Sequence, residues 1–172
     1  MIVLQTVLLA AFPILVIMAA LTDVTSFTIP NRISVLLILM FFPAALAMGR
    51  PIGEIGMDVV VFAAALLAGM AMFAVGWVGG GDAKLLAAAS LWLGLAAMPV
   101  FLISTALIGG VLAVALMNVR SSWARIYLTA APPWLARLAT PGAEVPYGVA
   151  IATGALAAFP QTSLAHALHG GF

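Results

Sequence analysis

The chain has 172 residues, of which 66% are hydrophobic and only 6% charged, with a formal net charge of +1 and a mean hydropathy of +1.28. A soluble domain of this size must present a polar surface to water, so these values exclude one and imply an integral membrane protein. The small net charge implies no nucleic-acid partner, and the absence of cysteine removes disulfides, thiolate chemistry and Cys-ligated zinc.

Six apolar stretches follow one another, over residues 2–22, 31–48, 57–77, 83–98, 100–118 and 145–166. At 1.5 Å rise, about 20 residues span the roughly 30 Å hydrocarbon core. None alternates with the period of a barrel strand, and lipid leaves a backbone no hydrogen-bond partner, so all six are read as helices. The expected fold is an all-α, polytopic bundle of about six transmembrane helices forming one domain over residues 1–172. The first stretch lacks a basic n-region and is too long for a signal h-region, so it is read as a retained helix. The division between the fourth and fifth helices is placed near Met98-Pro99.

In chain order, helix one ends at Asp23, and the uncharged segment Val24 to Thr28 leads to Pro30 and Asn31 at the start of helix two. Glu54 and Asp58 fall near Arg50 in the next loop and are expected to be solvated. Small residues of helix three (Ala63 to Ala65, Gly69, Ala71, Ala74, Gly76) and of helix four (Ala87 to Ala89) allow close backbone packing. Helix four opens with Gly79, Gly80, Gly81 and Asp82, and Lys84 follows. The long polar segment 119–144 carries Arg120, Arg125 and Arg137 with Trp123, Ile126, Tyr127 and Trp134. It reads as an amphipathic anchor whose arginines meet anionic lipid, or less simply as a substrate shelf or lid. Pro146, Tyr147 and Gly148 open helix six, and His166 and His169 near the end lack carboxylate neighbours and imply no metal.

Basic residues set the topology. The loops after helices one, three and five hold Arg32, Lys84, Arg120, Arg125 and Arg137, and the other side holds only Arg50. By the positive-inside rule the first set is cytoplasmic and both termini are outside. Asp23 and Asp82 therefore emerge on the same, cytoplasmic, face.

Alone, Asp23 reads as a hydrated boundary residue or short-helix cap, and Asp82 as the N-cap of helix four. Asn31 reads as a cap of helix two, Lys84 as a side chain snorkelling to lipid phosphate, and Tyr147 as an interfacial anchor. Together the two aspartates suggest more. Carboxylates brought to about 3 Å share a proton, one acting as base toward water and the other as acid toward the substrate. Glycines beside one of them would let a substrate backbone approach. The same pair could instead bind a cation or relay protons in a transporter, or persist in a non-catalytic assembly subunit.

Asp23 with Ile29-Pro30-Asn31, then Gly79-Gly80-Gly81-Asp82-Ala83-Lys84-Leu85, then Pro146-Tyr147-Gly148 resemble, in order, the motifs of the type IV prepilin peptidase family of GxGD membrane aspartyl proteases. The resemblance runs from helix one to helix six. It implies a catalytic pair, Asp23 and Asp82, supported by Gly79, Gly80, Gly81, Lys84, Pro30, Asn31, Pro146, Tyr147 and Gly148. The implied reaction is metal-free and cofactor-free cleavage after the leader glycine of a prepilin, at the cytoplasmic face of a bacterial inner membrane. The length and the lack of cysteine resemble the short, peptidase-only form found with Flp (Tad) pilus systems, so no methyltransferase activity is implied. Pilus assembly machinery is an implied partner. Two departures are the absence of charge from Val24 to Thr28 and Val149 in place of a common proline.

Overall fold

Every residue from Ala87 to Gly94 is buried, and a helix apolar on all sides belongs at the centre of a bundle. In the computed structural model, which describes residues 2–121 and 131–169, that segment is the axis around which the others pack. The described residues are helical apart from short connections: α1 (Ile2–Ser26), α2 (Asn31–Ala47), α3 (Ile52–Ala74), α4 (Gly80–Ser121), α5 (Pro133–Leu138), α6 (Tyr147–Ala158), a 3₁₀ turn (Phe159–Gln161) and α7 (Ser163–His169). Of these, α1, α3 and α4 are long and apolar enough to cross a membrane, while α2 is apolar but shorter.

The 42 residues of α4 are not one rod, because Gly94 has φ 62 and ψ 178. This region of backbone space is open essentially to glycine alone. The chain reverses there into a short limb, 80–93, and a return limb, 95–121. The reversal is visible in the neighbours: Asp82 interacts with Asp23, Asp23 bonds Gly148, and Gly109 on the return limb lies against Tyr147. Residues 82 and 109 are therefore at one end of the bundle and Gly94 at the other. The expected division at Met98-Pro99 is thus four to five residues late. Pro99 sits near the start of the return limb, where a missing N–H disturbs few helical bonds.

The centre is aromatic. Trp92 stacks near Phe12 (5.3 Å between centroids) and Phe41 (5.8 Å), and Phe12 in turn meets Phe159 at 4.7 Å. The buried indole donates to the Leu37 carbonyl at 2.9 Å, satisfying the one polar atom that such a core would otherwise strand. Gln5 donates to the Ala47 carbonyl (2.7 Å), which fixes α1 and α2 antiparallel. Gly69 lies against Ala83, so the small residues of α3 do bring it close to the short limb.

Four local expectations are corrected. Helix one continues a turn past Asp23, because Thr22, Thr25 and Ser26 place their hydroxyls on carbonyls three or four residues back (2.9, 2.7 and 2.6 Å) and so remain satisfied within helix. It ends where Phe27 takes φ 53. Helix three starts at Ile52 rather than residue 57, which turns Asp58 inward, 3% exposed, onto the Arg50 guanidinium. Asp58 is therefore not solvated, whereas Glu54 is largely exposed. Arg120 does not simply face lipid: its guanidinium donates to the backbone carbonyls of Leu138 (2.9 Å) and Glu144 (3.0 Å). Trp123, Arg125, Ile126 and Tyr127 lie outside the described residues.

Candidate active site

Asp23 is held one turn before the end of α1 and is 6% exposed. Its Oδ2 accepts the Gly148 N–H at 2.7 Å, one of the amides at the start of α6 that have no partner within their own helix. A Cβ on residue 148 would come within 2.8 Å of that oxygen and 2.9 Å of Ile29 Cδ1. Glycine is required here by the close approach of α6 to the carboxylate.

Asp82 is the third residue of α4. Its carboxylate reaches back to the Gly79 N–H, the acceptor half of a capping box, so it stabilises the helix start from inside the first turn rather than as the N-cap residue itself. Gly81 lies against Ile29, which stands between the glycine run and Gly148. Asp23 and Asp82 are near enough to interact electrostatically, and Glu144 interacts with both.

The supporting residues divide. Gly79, Gly80, Gly81, Tyr147 and Gly148 surround the two aspartates or the adjoining cleft. Pro146 is buried as the residue preceding α6, whereas Pro30 is exposed. Asn31 makes no capping bond to α2; instead its Oδ1 accepts from Lys84 Nζ at 3.0 Å. Neither the capping expected of Asn31 nor the lipid snorkelling expected of Lys84 is observed, because each side chain takes the other and ties the starts of α2 and α4 together. Tyr147 packs over Gly109 and is only half-buried.

A cleft of about 1200 Å³ opens between α3, the two limbs of α4 and the start of α6. Ala64, Ala68, Leu86, Met98 and Leu102 line its body, and Asp82 and Glu144 lie on its wall. Sequence reasoning passed over Ile29 as an active-site wall and Glu144 altogether. The signal for Ile29 was its place between the aspartate and Pro30; Glu144, two residues before Pro146, was hidden in a segment read as membrane anchorage.

Two carboxylates on separate helices at one end of an apolar bundle, beside a Gly-rich helix start, form an arrangement suited to water activation. The sequence model of the type IV leader peptidase family matches residues 10–114, more than half of the 172 residues. The chain belongs to the type IV leader peptidase family. Both Asp23 and Asp82 fall inside the matched span; Gly148 and its bond to Asp23 lie beyond it. Neither the curated proteins nor the solved structures yielded a match.

Proposed function

We propose that this member of the type IV leader peptidase family is a prepilin leader peptidase whose catalytic residues are Asp23 and Asp82. The observation that carries the reading is the convergence of these two carboxylates, from α1 and α4, in a chain of that family. In the proposed reaction one carboxylate takes a proton from water as the water attacks the scissile carbonyl. The other gives a proton to the carbonyl oxygen or to the leaving amine. No covalent intermediate is formed. Gly148 N–H and Gly79 N–H orient the two side chains.

The whole chain acts as one peptidase domain with six membrane-level helices: α1, α2, α3, the two limbs of α4, and α6 with its continuation. Both termini are outside and the dyad faces the cytoplasm, in a bacterial inner membrane. The substrate is a Flp-type prepilin cut after its leader glycine, without subsequent methylation by this chain, and the cleaved pilin passes to the pilus assembly machinery.

Co-expression with a Flp-type prepilin, followed by mass analysis of the pilin, tests this. A leader-sized loss with wild type that is absent with Asp23→Asn and with Asp82→Asn is the expected result. Cleavage persisting in either variant would remove the dyad, and no cleavage by folded wild type across Flp-type prepilins would remove the substrate assignment.

A further inference from the structure

We propose that the cleft between α3 and the two limbs of α4 seats the apolar stem of the substrate, and that Glu144 at its wall receives a cationic substrate side chain beside the scissile bond. This rests on the peptidase reading above. The cleft, at about 1200 Å³, is larger than the roughly 300–1,000 Å³ of ordinary small-molecule sites. Its body carries no charge, and the alanines at 64 and 68 leave the α3 backbone open to another helix, as membrane helix contacts require.

Charge identifies which end of the occupant lies where. The carboxylates on the cleft wall are Asp82 and Glu144. Nearby cations are committed elsewhere: Lys84 donates to Asn31, and Arg120 donates to the backbone carbonyls of Leu138 and Glu144. Among the described residues the ion pairs are those of Arg50 alone, so no described cation neutralises Glu144. Nor do the described acidic groups cluster closely enough to hold a metal ion. Glu144 is exposed, so an organic cation reaching it from the aqueous side would leave the apolar stem beyond Asp82, inside the cleft. The complementary partner is an apolar helix with a lysine or arginine at its cut end.

The test uses reporters with one apolar helix of about 20 residues and Lys, Gln or Glu beside the cut. Wild type should prefer Lys over Glu by about tenfold in kcat/KM, the size of one charge-assisted contact. Glu144→Lys should reverse that order, and the near-isosteric Glu144→Gln should flatten it, which preserves the test where the reversal fails to fold. The chain has no cysteine of its own. In the Asp23→Asn form, Ala68→Cys or Met98→Cys should therefore crosslink to a cysteine in the reporter stem, and Leu67→Cys, which is 67% exposed and outside the cleft, should not. Cleavage indifferent to residue 144, or equal crosslinking from residue 67, would overturn the inference while leaving the peptidase intact; that pattern would mean that lipid fills the cleft. Failure of wild type to cut any reporter would remove the peptidase reading and this inference with it.

Discussion

The short limb of α4 has a buried or half-buried aspartate at each end, and the two ends differ in what meets it. At the Gly94 end, Asp58 is bound to Arg50, with side chains 5% and 10% exposed. An added Cβ at Gly94 would lie 2.7 Å from Asp58 Oδ1. At the Gly79 end, Asp82 has only the Gly79 N–H and another carboxylate, Asp23, for company. The residue type is the same and so is the depth. A carboxylate matched by a guanidinium is neutralised and can hold a turn; two carboxylates facing each other without a cation have proton-exchange chemistry available. The partner, more than the burial, separates structural from reactive acid.

The largest break in this contrast is at the reactive end. Asp23→Asn or Asp82→Asn should lower prepilin cleavage by about 10³-fold or more, the range of a lost general acid or base, with thermal unfolding in detergent close to wild type. Equal losses of activity and of folded protein would mean that the aspartates are structural after all. At the paired end the expectation is inverted. Asp58→Asn strands a buried guanidinium and should destabilise by about 3–5 kcal/mol, measured by unfolding in mixed micelles. The double replacement Arg50→Met with Asp58→Leu should recover much of that loss, since an apolar pair of similar volume has no charge to strand.

Gly94→Ala should be next, at about 1–3 kcal/mol, because any L side chain is strained at that φ and ψ. Adding Asp58→Ala to it should relieve the contact with the carboxylate but not the backbone strain, so partial recovery in the same unfolding measurement is expected. The smallest effect is assigned to Lys84→Met. Its bond to Asn31 is exposed, and such surface polar contacts contribute about 1 kcal/mol or less. Cleavage assays should show a change under about fivefold, and a much larger one would draw Lys84 into the chemistry.

The reactive end was largely legible in the sequence because charge is so scarce: with 6% charged residues, an aspartate at each of two helix ends stands out, and the arginine bias puts both on one face. The structural end was not legible for the same reason. Arg50 looked like a topology signal and Asp58 like its solvated neighbour. Seeing the pair requires knowing that α3 begins at Ile52, and helix starts are the least certain part of a sequence reading. The division of α4 was misplaced because proline is the louder breaker in sequence, whereas the reversal depends on one glycine's dihedral angles. Asp23 fell within helix rather than after it because hydroxyl back-bonding has no signature beyond the presence of Thr and Ser, which read equally well as a helix end.

The short limb, 80–93, has one further consequence. It is roughly 21 Å long at 1.5 Å per residue, well below the roughly 30 Å of bilayer hydrocarbon. Its two ends cannot both reach bulk water in an unperturbed bilayer. A surrounding membrane responds to such a deficit by thinning or by admitting polar groups, at a modest cost for each ångström. Acyl-chain length thereby becomes a control on the proposed hydrolysis: thin bilayers bring headgroups and water down to Asp82, and thick ones draw hydrocarbon over it.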